Sequence, residues 1–128
     1  MDIKVTKASA DQLKAKPADE SKLGFGDIMT DHMFLMNYDS EKGWFDPRIE
    51  PFHDLPINPA AMVLHYGQEV FEGLKAYRGQ DGRISLFRPG KNIERLNRSA
   101  KRLCMPEVDS EMVMEGMKQL VLTDKEWV

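Results

Sequence analysis

The sequence predicts an α+β fold, an antiparallel sheet with flanking helices. Three observations lead there. In "KAYRGQDGRISLF" the turn residues Gly79 to Gly82 separate two short alternating segments, the signature of a hairpin. Two amphipathic helical stretches follow it. Four of the seven prolines cluster in "WFDPRIEPFHDLPINPAAMVLHY", which forbids a long helix and favours extended pieces with turns. Strands followed by helices fit an α+β layer with antiparallel pairing.

The elements follow in chain order. Ile3 and Val5 alternate with polar residues, a weak strand signal. Ala8 to Lys22 is rich in lysine, acid and alanine, with Pro17 inside, and reads as a short helical turn and a connector. Asp27 to Asp39 is apolar and carries Tyr38, which suggests a strand, while its three methionines leave a helix open. Turn chemistry surrounds Gly43. A short helix is expected around Gln68–Phe71, stopped at Gly73 by a left-handed cap. Leu74–Tyr77 and Arg83–Phe87 are the hairpin strands. Lys91 to Leu103 is a helix, because Ile93, Leu96, Ala100 and Leu103 share one face. Asp109 or Ser110 can cap a last helix carrying Met112, Val113, Met117, Leu120 and Val121.

The totals narrow the function classes. With 128 residues the chain is one domain or a piece of a larger one. Its net charge of -3 gives no reason to bind nucleic acid or an anionic membrane. Cys104, the single cysteine, forms no internal disulfide, and no Cys/His spacing suggests a metal. The first residues have neither an apolar stretch nor the arginine-rich bias of a targeting peptide, so a cytoplasmic chain is expected.

Chemistry concentrates in two places. Arg95, Arg98 and Arg102 are spaced three and four apart and form one helical stripe. The stripe is either a solvated basic face partnered by Glu94 or an anion site, since a guanidinium fork matches phosphate. Phe25, Tyr66, Phe71 and Tyr77 are either core rings or pocket walls. Phe25 lies between two glycines, an odd place for a core ring and a hint of a binding loop. Lys75 reads as a lysine on the exposed side of a strand rather than a covalent-catalysis residue. No hydrolase, zinc-protease or P-loop motif is present, and no catalytic residue is assigned.

Three motifs, "FGDIMTDHMFLMNYDSEKGWFDPRIEPF", "LHYGQEVFEGLKAYRG" and "LFRPGKNIERLNRSAKRLCMP", occur in this order. Together they resemble the first part of branched-chain amino acid aminotransferases, pyridoxal-phosphate enzymes of the D-amino-acid-aminotransferase-like fold. The resemblance implies that residues 1–23 are a strand and connector and that 24–128 are the family's amino-terminal small domain. It gives Arg95 the cofactor phosphate, and Phe25, Tyr66 and Phe71 the substrate side-chain pocket. Tyr66 would serve the neighbouring subunit of a dimer. The implied parent reaction is reversible amino transfer between leucine, isoleucine or valine and 2-oxoglutarate. The family's cofactor lysine lies in a second domain beyond the residues matched, so the 128 residues are expected to be inactive alone and not to hold pyridoxal phosphate by themselves. Two alternatives stand beside this: a stand-alone interaction domain of the same fold, and the small domain of a related D-amino acid aminotransferase or aminodeoxychorismate lyase.

Overall fold

Proline and glycine set the strand geometry. The computed structural model describes residues 2–128. Its longest strand forms within the proline-rich stretch, where Glu50 before Pro51 keeps the extended backbone that a residue before proline favours. This strand, Gly43–Pro51, is β3. It is central in a three-stranded sheet, between β1 (Lys4–Val5) and β2 (His32–Asp39). β2 and β3 pair antiparallel, from His32 opposite Pro51 to Asp39 opposite Gly43. The register slips between Leu35 opposite Arg48 and Asn37 opposite Phe45, so β3 carries one extra residue there. Asp46 takes a left-handed backbone (φ 53°) and Pro47 follows it. A bulge is where a central strand tolerates a residue with no N–H to give.

One expectation is corrected here. β1 pairs with β3 in parallel, Lys4 opposite Arg48 and Val5 opposite Ile49, so this sheet is mixed rather than antiparallel. β2 itself makes the return that parallel pairing requires, and a long connector carries the chain from β1 past β3 to β2. Part of that connector is a 3-10 turn at Glu20–Lys22, with the Asp19 carboxylate accepting from the Ser21 N–H.

The chain divides into two compact units. One is Asp54–Glu115, and the other consists of the described residues up to His53 together with Gly116–Val128. In the latter, Ile49 is fully buried. In the same unit, buried polar side chains join distant segments. Asp31 Oδ1 accepts from the Lys14 N–H at 2.8 Å, and Asp31 Oδ2 accepts from the Trp127 indole N–H at 2.8 Å. His32 Nε2 accepts from the Ala8 N–H at 2.8 Å, so its proton sits on Nδ1, which donates to Asp124 Oδ1 at 2.6 Å. The other Asp124 oxygen accepts from the His32 backbone N–H at 3.0 Å.

In the Asp54–Glu115 unit, α1 is Met62–Tyr66 and ends at Gly67, whose φ of 58° is left-handed. This corrects the helix expected at Gln68–Phe71. Gly67 takes the cap assigned to Gly73, and no helix or strand forms between Gly67 and Ala76. The hairpin is β4 (Ala76–Arg78) and β5 (Ile84–Leu86), paired antiparallel. Its turn closes with the Gly79 N–H donating to the Arg83 carbonyl at 2.8 Å.

Helix α2, Pro89–Arg102, starts two residues before the expected Lys91, because a proline suits the first helical position. Ile93 and Ala100 on its apolar face are buried. Leu103 falls just past the last turn and stays exposed. The following Cys104 adopts φ 55°, and the Met105 N–H returns to the Ala100 carbonyl at 2.9 Å. That closes the helix in the manner usually left to glycine. Asn97 then fastens the next loop, donating to the Val108 carbonyl at 2.9 Å and accepting from the Val108 N–H at 2.8 Å. Helix α3 is Ser110–Thr123, and the Asp109 carboxylate caps it by accepting from the Met112 N–H at 2.8 Å.

Gly116 on α3 faces Phe34 of β2, and a Cβ at Gly116 would lie 2.5 Å from the ring. Alanine would gain about 1 kcal/mol of helix propensity. Overpacking against a ring in this position costs about 1–3 kcal/mol. Gly116→Ala therefore lowers the thermal unfolding midpoint measured by circular dichroism, and Phe34→Leu in the same chain restores part of it. A raised midpoint in the single variant would show that the ring yields freely.

Candidate functional site

The arginine stripe comes together on one side of a groove of about 450 Å³ in the Asp54–Glu115 unit. Arg95, Arg98 and Arg102 project from successive turns of α2. Phe71 and Leu103 supply apolar wall, and Glu69 also lines the groove. The backbone from Gly67 to Ala76 is irregular, and Gln68 pins it by donating from its side-chain amide to the Leu103 carbonyl at 2.9 Å.

The arginines differ in their partners. Arg95 Nε donates to Glu72 Oε1, and Arg95 Nη2 donates to Glu72 Oε2 at 2.9 Å. Asn92 holds the same carboxylate, with Nδ2 donating to Glu72 Oε2 at 2.9 Å and to the Gly73 carbonyl at 3.0 Å. Arg98 and Arg102 have no hydrogen-bonded or ion-paired partner among the described residues. Glu94, the expected partner of the basic face, instead receives Lys91 Nζ at 2.7 and 2.9 Å.

This arrangement explains the electrostatics. The Arg95 hydrogen bond, then the Asn92 amide, hold the Glu72 carboxyl down at about 2, against an ordinary 4.5. Arg95 is raised in turn by its bond to Glu72. The Glu94 carboxyl is lowered chiefly by Lys91, with Arg98 and Arg88 adding to the effect.

The other expected site residues sit as follows. Phe71 lines the groove beside Arg95 and is 80 % exposed. Tyr66 ends α1, is 78 % exposed and does not line this groove. Tyr66 and Phe71 do not share a helix, because Gly67 terminates α1. Phe25 belongs to the other unit and is 92 % exposed. Its neighbours Gly24 and Gly26 both take positive φ, 66° and 75°, which explains why glycine flanks it on both sides. Lys75 is exposed and lies just before β4. Glu72 and Asn92 were not singled out from the sequence. The one signal for Glu72 was an acid wedged between Phe71 and Gly73.

The Glu72 titration checks the ion pair. Its folded value is depressed, so its stabilisation is fully present above the ordinary 4.5 and is lost as pH falls through about 2. In a carbon-detected titration of the Glu72 carboxyl the expected midpoint is about 2. Arg95→Ala returns that midpoint most of the way toward 4.5.

No protein-family model matches the chain. It is 59% identical over 115 residues to branched-chain-amino-acid aminotransferase 2 of Bacillus subtilis (strain 168), covering 90% of this chain and 31% of that protein. It is 50% identical over 128 residues to a probable branched-chain-amino-acid aminotransferase of Staphylococcus epidermidis, covering all of this chain and 35% of that protein. It is also 46% identical over 127 residues to the cytosolic branched-chain-amino-acid aminotransferase of Caenorhabditis elegans, covering 99% and 31%. The chain thus spans about a third of the length of these relatives. By sequence the chain is similar to the amino-terminal part of branched-chain-amino-acid aminotransferases, at 46–59% identity.

Proposed function

We propose that the chain serves as the phosphate-gripping, pocket-lining part of a pyridoxal-phosphate transaminase acting on leucine, isoleucine or valine with 2-oxoglutarate. The observation that carries the reading is the groove where Arg95, Arg98 and Arg102 stand beside Phe71. Its donor set fits the cofactor phosphate. Guanidinium groups stay charged at any working pH, and two of the three have no hydrogen-bonded or ion-paired partner among the described residues. Pyridoxal phosphate, when bound, supplies the electron sink that amino transfer needs.

The residues of this chain bind and exclude water. Arg95 grips the phosphate with the guanidinium edge that Glu72 leaves open. Phe71 offers an apolar wall to an aliphatic tail, where each buried methylene contributes about 0.8 kcal/mol. Phe25 and Tyr66 carry the same pocket role by resemblance, Tyr66 toward the partner subunit of a homodimer. Their exposure leaves both rings available to further protein or to substrate. No base for the proton shift is assigned within these residues, so the 128 residues alone are inactive.

A chimera tests this. The matching first third of the Bacillus subtilis relative is replaced by this chain, and leucine-dependent conversion of 2-oxoglutarate to glutamate is measured. Activity is expected, and a folded chimera without it overturns the reading. Arg95→Ala in the chimera weakens cofactor retention about tenfold or more, as loss of a charge-assisted phosphate contact requires. The isolated chain, treated with pyridoxal phosphate and borohydride, shows no single labelled lysine by mass spectrometry. A uniquely labelled lysine would overturn the inactivity. Light scattering of the isolated chain at rising concentration reports association, as expected from the exposed Phe25, Tyr66, Phe71 and Phe87 rings.

A further inference from the structure

We infer that Glu72, itself anchored by Asn92, is a positioning residue that holds the Arg95 guanidinium with its outer edge turned to the groove, ready for a phosphate. The inference rests on the assignment of Arg95 to the phosphate and adds the device that makes it work.

The geometry supports this in three steps. Arg95 spends its Nε–Nη2 edge on Glu72, in a bidentate pair. The remaining edge, between the two Nη atoms, is still a complete fork for a second anion. Next, the pair is asymmetric in exposure. The Glu72 side chain is 11 % exposed and the Arg95 side chain 60 %. The carboxylate is therefore the fixed half and the guanidinium the presented half. Finally, Asn92 immobilises that fixed half. One Nδ2 group donates both to Glu72 Oε2 and to the Gly73 carbonyl, tying the carboxylate and the irregular backbone to α2.

Charge alone would argue for the opposite role. A carboxylate beside an anion site repels the anion, so removing it should tighten binding. Preorganisation argues that removing it should weaken binding, because a long arginine side chain then has to be ordered by the ligand. Arg98 and Arg102 in the same groove, neither of them hydrogen-bonded or ion-paired among the described residues, offset the charge of Glu72, which leaves the positioning effect dominant.

The test is a titration of the 128-residue chain with inorganic phosphate to about 100 mM, the range for a site of a few charged contacts. Arginine side-chain N–H resonances are followed by nitrogen-edited NMR. In the unsubstituted chain the Arg95 Nη protons are resolved by hindered rotation, and they shift saturably with phosphate. Glu72→Gln collapses the Nη signals and weakens phosphate binding about fivefold to tenfold, with unchanged far-ultraviolet circular dichroism. Asn92→Ala, which keeps the carboxylate charge, weakens binding in the same direction and decides the matter if Glu72→Gln does not fold. Equal or tighter binding in the folded variant overturns the inference. Two further results overturn the phosphate assignment itself: an Arg95 that does not respond in the unsubstituted chain, or an Arg95→Ala variant that binds phosphate as before.

Discussion

The unit that ends at Val128 depends on Asp124. This one buried carboxylate accepts from the His32 ring and from the His32 backbone, and the ring in turn accepts from Ala8. Three stretches far apart in sequence are thereby satisfied by one chain of bonds. Its members need one another, since a buried carboxylate or imidazole without its partner carries the full cost of lost water. Asp31 repeats the pattern one residue earlier, joining Lys14 and Trp127. With Ile49 as the fully buried apolar side chain, polar fastening substitutes here for a broad apolar interior.

The Asp54–Glu115 unit uses the same logic with amides. Asn97 satisfies both backbone groups of Val108, and Asn92 ties Glu72 and Gly73 to α2. These side chains hold irregular backbone, which no ladder of repeating bonds could hold. The groove is a product of that fastening. Its floor is a regular helix presenting arginines at helical spacing, and its wall is a loop whose path is set by Gln68, Glu72 and Asn92. Chemistry on a rigid helix beside an adaptable loop is a common division of labour in binding sites.

What could be read from the sequence was local. The hairpin around Gly79–Gly82 and the helix through Ile93 and Ala100 follow from turn chemistry and a 3.6-residue period, and both formed close to the expected bounds. The arginine stripe was legible for the same reason. α1 was misplaced because Gly67 and Gly73 are equally able to end a helix, and periodicity in so short a segment cannot choose between them. The parallel pairing of β1 was hidden, since two residues carry almost no pattern and their partners lie more than forty positions away. Glu72 escaped notice because its meaning comes from Arg95, twenty-three positions on, and nothing in "FEG" announces that partner.

The kink at Asp46 and Pro47 has one more effect. β1 runs alongside β3 only at Arg48 and Ile49. A foreign strand extending that row toward Gly43 would meet a proline that offers no hydrogen and a left-handed residue that turns the backbone aside. The irregularity that fits β3 against β2 thus also makes its outer border a poor template for amyloid-like stacking, guarding a sheet whose apolar side chains are largely half-buried against self-templating.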